Sequence, residues 1–162
     1  MNKQQICNLL QEQGIAFEIT EHGAVYTMEE MAAIGLPHPE AEAKNLFFRN
    51  DKRTGYYLVT VAAHQRLDVK AFQKQQGLRK LSFGSAEELL ELLQLTPGSV
   101  GPLGLCNDEA HRVELYLDEA LKEGHMNIHP NDNTATLWIR TRDVAQLLEK
   151  LGCTVHYFTG HL

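Results

Sequence analysis

Runs of about eighteen uninterrupted apolar residues are missing from this chain, which excludes a membrane-spanning helix on length. Cysteine is scarce: Cys7, Cys106 and Cys153 are odd in number, widely spaced and form no Cys-x-x-Cys pair. That excludes a disulfide framework and leaves reduced, mostly buried thiols, the usage expected of a cytoplasmic protein. The opening Met1-Asn2-Lys3-Gln4-Gln5 lacks the apolar stretch of a secretory signal, so an intracellular, soluble product is expected. Repeats, low-complexity tracts and dividing linkers are absent too. The 162 residues are therefore expected to form one domain, 1–162, large enough to bury its own core. Positive charge is also in short supply, with 15 Lys/Arg against 21 Asp/Glu and a net charge of −6 that should repel nucleic acid.

What cationic charge there is lies in one place. Residues 44–80 hold 9 of the Lys/Arg and 2 of the Asp/Glu, a formal +7, which leaves −13 on the remainder (six cations against nineteen acids). A local basic face of that kind can hold phosphates although the whole chain is acidic.

Asn2 caps a helix carrying Ile6, Leu9 and Leu10, ended by Gly14, and residues 15–20 alternate as a strand. Thr27-Met28-Glu29-Glu30 and Ser85-Ala86-Glu87-Glu88 read as capping boxes. The first opens a short helix broken by Gly35, Pro37 and Pro39. The second opens a leucine-rich helix ended by Pro97 and Gly98. Residues 44–49 and 56–62 read as paired strands around a turn at 50–55, and Asp68 caps a helix that stops at Gly77. Further strands are expected at 103–105, 113–117, 134–139 and 155–158, with a helix from Thr141 to the stop at Gly152. Helices and strands mix without a strict βαβ repeat. The fold class expected is α/β with a mixed sheet, not doubly wound.

Three places can carry chemistry. Lys44 immediately precedes the apolar run Leu46-Phe47-Phe48, so its stem lies along buried surface and its ammonium reaches a cleft or solvent. It is either a phosphate anchor or, if desolvated, a base; a snorkelling strand-end lysine is the plain alternative. The loop Pro97-Gly98-Ser99-Val100-Gly101-Pro102 can converge the amides of Gly98, Ser99, Val100 and Gly101 on an anion or oxyanion, or merely connect a helix to a strand. His129, before a Pro-Asn-Asp turn, can orient water or tie the turn down. His125 and His129 share a zinc-like spacing, but Pro130 opposes a helix there and no third ligand is near, so no metal is expected. Ser99 lies in no Gly-x-Ser-x-Gly elbow.

In order and spacing, Lys44-Asn45-Leu46-Phe47, Leu81-Ser82-Phe83, residues 95–105 with Asn107-Asp108, Asp118, and His129-Pro130 with Asn133-Thr134-Ala135-Thr136 span nearly the whole chain. Together they resemble the trans-editing aminoacyl-tRNA deacylases of the bacterial YbaK/ProX superfamily, relatives of the editing insertion domain of prolyl-tRNA synthetase. The nearest likeness is to the free-standing, synthetase-associated branch that acts on alanyl-tRNA(Pro). The chain departs from that pattern at Asn131-Asp132, where an apolar residue often follows His-Pro, and at Leu151-Gly152-Cys153.

The resemblance implies a mixed sheet or partial barrel surrounded by helices, and hydrolysis of the 3′ ester of mischarged tRNA with no cofactor. Lys44, Asn45 and His129 would be catalytic. Gly98, Ser99, Val100, Gly101 and Pro102 would bind substrate. The partners implied are the acceptor end of tRNA(Pro) and prolyl-tRNA synthetase, with Arg49, Arg66, Lys70, Arg79 and Lys80 gripping the stem and no membrane involved. Phe17, Ile19 and the loop near Val100 are candidates for the side-chain pocket. Cysteine is the rival amino acid, and a non-catalytic tRNA-binding or synthetase-binding module is the rival function.

Overall fold

A computed structural model describes residues 1–159. Its helices are α1 (Lys3–Glu12), α2 (Met28–Ile34), α3 (Val69–Gln75), α4 (Ala86–Leu93) and α5 (Thr141–Lys150). Its strands are β1 (Phe17–Glu21), β2 (Ala43–Asn50), β3 (Tyr56–Ala62), β4 (Leu81–Phe83), β5 (Val113–Asp118), β6 (His125–Ile128), β7 (Ala135–Arg140) and β8 (Val155–Phe158). A three-stranded sheet runs β1-β7-β6 and a five-stranded sheet runs β4-β2-β3-β5-β8. The larger sheet is mixed: β2 pairs antiparallel with β3 and β4, while β3–β5 and β5–β8 are parallel. The α/β class is thus as expected, mixed and not doubly wound, with neither sheet closed.

Local chemistry explains most of the elements. The β2–β3 hairpin turns through Asn50, whose Oδ1 accepts from the Thr54 amide at 2.9 Å and whose Nδ2 donates to Thr54 Oγ1 at 3.0 Å. Asn2 and Ser85 form full capping boxes, which satisfy two orphan amides at each helix start. Thr27 forms half of one: its Oγ1 accepts from the Glu30 amide, and its hydroxyl rather than its amide donates to the Glu30 carboxylate. The main core lies between the sheets and α1, α4 and α5, around Leu58, Leu93, Leu115, Leu137 and Leu148. A second cluster, Phe48, Tyr57, Phe72, Tyr116 and Phe158, sits under α3.

Two expectations need correction, and two strands are added. Residues 103–105 are not a strand but part of a 3₁₀ turn, Pro102–Asn107. Pro102 presets φ for the first position of that turn, and the Gly104 amide reaches the Gly101 carbonyl at 3.0 Å. Leu103 and Leu105 are buried all the same, and so short an apolar run does not distinguish the two conformations. The leucine helix ends earlier than Pro97, at left-handed Gln94, and Pro97–Ser99 forms its own 3₁₀ turn. Strands β4 and β6 were not foreseen; β6 carries His125, so the i,i+4 spacing to His129 is not helical.

One joint holds β2 in place. The Gly84 amide donates to the Phe47 carbonyl at 2.8 Å, and a Cβ on Gly84 would lie 2.3 Å from the buried Phe47 ring. Gly84→Ala is therefore expected to destabilise the fold by about 1–3 kcal/mol through overpacking. That lowers the midpoint of a thermal melt by roughly 2–10 °C. An unchanged melt would show that Phe47 yields freely.

Candidate active site

Strand β4 pairs with β2 only at Phe48, Arg49 and Asn50, so the opposite end of that edge, around Lys44, is left open. There β2 meets the start of α2, the 97–100 turn and the β6–β7 connection, and a cavity of about 290 Å³ lies between them. Lys44, Asn45, Gly98, Val100 and His129 all line it, although 85 residues separate Lys44 from His129 in sequence. Val25, Met28, Met31, Leu46 and Ile128 supply apolar wall; Asn127 and Thr136 supply polar groups; Glu42 is the one acidic residue lining it among the described residues.

Hairpin register fixes the first pair. Lys44 stands opposite Val61 and Asn45 opposite Thr60. The Thr60 hydroxyl, fully buried, donates to Asn45 Oδ1 at 2.7 Å, which sets the amide and leaves its Nδ2 without a described acceptor. Lys44 has no ion pair among the described residues. The turn leading into β2 is held by Asn127, whose Nδ2 donates to the carbonyls of His38 at 2.9 Å and Pro37 at 3.3 Å.

His129 is set by its own turn. Its Nδ1 lies 2.8 Å from the Ala135 carbonyl. A carbonyl only accepts, so Nδ1 carries the proton and Nε2 is the remaining acceptor while the ring is neutral. Burial pushes the His129 pKa below the ordinary histidine value, and nearby His22 acts in the same direction; the Ala135 hydrogen bond and Asp132 oppose them. The two imidazoles are 6.2 Å apart, and His22 Nε2 contacts Thr136 Oγ1 at 2.8 Å.

The 98–102 loop reaches the histidine by close backbone approach: a Cβ on Gly101 would lie 3.6 Å from the His129 carbonyl oxygen. Its amides divide. Ser99 N is committed to the Thr96 carbonyl at 2.9 Å and so cannot join the expected ring of donors. Ser99 Oγ is likewise tied to Thr96. The amides of Val100 and Gly101 donate to no acceptor among the described residues. Gly98 and Val100 reach the cavity wall, whereas Ser99, Gly101 and Pro102 stand behind it.

The remaining expected residues lie elsewhere. Phe17 packs against the main core and Ile19 is exposed on β1, at the edge of the small sheet away from β6. Arg49 lies 3.2 Å from Glu88, and Arg79 pairs with Asp51 at 2.7 Å, so the basic face is thinner than its residue count suggests. Arg66, Lys70 and Lys80 are exposed and have no ion pair among the described residues. Among those residues no helix is long and apolar enough to cross a membrane.

Two residues that sequence reasoning passed over carried a signal. Glu42 lies two positions before Lys44 in extended chain, hence on the same side, and Asn127 is a lone amide between Met126 and Ile128. Val25, Tyr26, Met28 and Met31 carried none, because nothing local indicates that α2 lies over β2.

Comparison with known proteins follows the same outline. Residues 22–147 match the aminoacyl-tRNA editing domain family. The chain is 38% identical over 153 residues to the prolyl-tRNA editing protein ProX of Acetoanaerobium sticklandii, covering 94% of this chain and 93% of that protein. It is 34% identical over 147 residues to prolyl-tRNA synthetase associated domain-containing protein 1 of Bos taurus, covering 85% and 83%. A crystal structure described as a candidate trans-editing enzyme for prolyl tRNA synthetase superposes with a TM-score of 0.71 at 24% identity, covering 97% of this chain and 96% of that one, and shares the fold.

Proposed function

Because this chain belongs to the aminoacyl-tRNA editing domain family, we propose that it is a trans-editing deacylase that removes alanine from mischarged tRNA(Pro). The observation that carries the reading is the single cavity shared by Lys44, Asn45, the 98–100 turn and His129.

An aminoacyl ester is already activated, so no covalent nucleophile is required. Water adds to the carbonyl carbon, negative charge gathers on the carbonyl oxygen, and the bond to the ribose oxygen then breaks as that oxygen takes a proton. Lys44 supplies the cation of the cavity, and the Val100 amide, on the cavity wall, supplies a neutral donor for the developing oxyanion. Neutral His129, with Nε2 as acceptor, orients the water. Asn45, fixed by Thr60, holds the ester. Glu42 faces the α-ammonium that every aminoacyl ester carries, which offsets the repulsion between that group and Lys44.

Selectivity is a matter of room. Met28, Met31, Val100 and Ile128, all on the cavity wall, would form the side-chain pocket that admits a methyl group and turns away a pyrrolidine ring. Such a wall separates ligands differing by one methylene-sized group by only about 1–3 kcal/mol, so serine and cysteine are graded competitors.

The test is release of amino acid from tRNA(Pro) charged in turn with Ala, Ser, Cys and Pro, together with N-acetyl-Ala-tRNA(Pro). Alanine is expected to be released fastest, with the prolyl and N-acetylated esters spared. Faster release of cysteine would reassign the substrate. Retention of tRNA without any hydrolysis would replace the enzyme by a binding module.

A further inference from the structure

Among the described residues Tyr26 is the only Phe, Trp or Tyr on the cavity wall, and it is 72% exposed. Of the other exposed large apolar residues, Met1, Ile19, Phe83, Leu90 and Leu151 lie away from the cavity, and only Met28 shares its rim. Exposure alone means little for a surface tyrosine. What sets Tyr26 apart is how firmly it is presented. Just before it, Val25 is clamped to the β6–β7 connection by two hydrogen bonds, Val25 N to the Asn133 carbonyl at 3.3 Å and Asn133 Nδ2 to the Val25 carbonyl at 2.9 Å. Just after it, Thr27 caps α2 through the Glu30 amide. One edge of the ring rests on Gly98, where an added Cβ would come within 3.0 Å of Tyr26 Cδ1. The ring is thus held at the mouth of the cavity with most of its surface open to solvent.

We propose that Tyr26 is a stacking platform for the terminal adenine of the aminoacylated strand. This rests on the deacylase reading above. An ester placed against Lys44 and His129 carries its adenine one sugar away, which brings the base to the rim and not into the cavity. An aromatic face there stacks an unpaired base without reading its sequence. The cations of the 44–80 segment then follow the phosphates behind it. Pre-clamping Tyr26 means that little ordering is required when the base arrives.

The experiment compares wild type, Tyr26→Phe and Tyr26→Ala on 2′(3′)-O-alanyl-adenosine and on 2′(3′)-O-alanyl-ribose, which lacks the base. Tyr26→Ala is expected to lower kcat/KM on the adenosine ester by about 5- to 150-fold, chiefly in KM. It should leave the ribose ester unchanged, and Tyr26→Phe should stay within about twofold on both. Equal losses on the two esters, no loss on either, or a Phe variant as impaired as Ala would overturn the platform. A parallel titration with 3′-alanylamino-3′-deoxyadenosine, whose amide is inert, separates the two claims. Weaker binding by Tyr26→Ala keeps the platform even where wild type hydrolyses neither ester, an outcome that removes only the deacylase reading. Equal binding by wild type and Tyr26→Ala overturns the platform.

Discussion

Lys44→Ala is expected to lower deacylation of Ala-tRNA(Pro) by about 10²–10³-fold, the loss typical of removing one preorganised donor to a developing oxyanion. The fold should barely notice. Lys44 has no ion pair among the described residues, so its removal orphans no buried partner, and substitutions of that kind stay within about 0.5 kcal/mol. Lys44→Arg should not restore the rate: a planar, weakly hydrated fork on a longer stem does not put its charge where a compact ammonium does. Single-turnover deacylation, with thermal melts of the same preparations, reads both halves. A folded variant within tenfold of wild type would remove Lys44 from the chemistry, and an unfolded one would overturn the expectation that the fold tolerates its loss.

The contrast between activity and stability matters because Lys44 sits at the end of a strand that otherwise is core. Phe47 and Phe48, a few residues on, are buried on opposite faces of the larger sheet, one in each hydrophobic cluster. The hairpin register that buries them also delivers Lys44 and Asn45 to the open edge. The pairing of those strands was legible in sequence, since two continuous apolar runs flank an Asn-Asp-x-x-x-Gly turn. The histidine turn was legible for a similar reason: Pro130 and the Asn/Asp residues after it admit few conformations.

What sequence did not reveal is how separate pieces lie against one another. Met28 and Met31 belong to a seven-residue helix with no buried residue, so its apolar spacing gave no sign of a cavity beneath it. Ser99 looked like a donor because it sits in a glycine- and proline-rich loop, yet Thr96 three residues earlier takes up both its amide and its hydroxyl. Local hydrogen bonding of this kind competes with substrate, and only coordinates reveal which side wins. Likewise Arg49 and Arg79 counted as free cations until Glu88 and Asp51, each distant in sequence, were found beside them.

His129→Gln is expected to lower the rate by about 10²-fold, in the range for loss of a positioned proton acceptor, while its amide can still donate to the Ala135 carbonyl. Its pH behaviour is the sharper test. Burial, seconded by His22, pushes the pKa of His129 below the ordinary value of about 6.5, so the ring stays neutral and Nε2 stays an acceptor through neutral pH. The acid limb of the wild-type rate should therefore fall below pH 6.5 and should vanish in the variant. Stability is linked to the same proton. As pH drops below about 6.5 the unfolded chain binds a proton that the native imidazole refuses, so the contribution of the buried neutral ring is whole above that pH and is lost as pH falls through the native pKa. The melting temperature of wild type should then fall relative to His129→Gln between roughly pH 7 and pH 5. A constant gap across that interval, or an acid limb that survives the substitution, would show that His129 neither titrates in the buried state nor carries the acceptor.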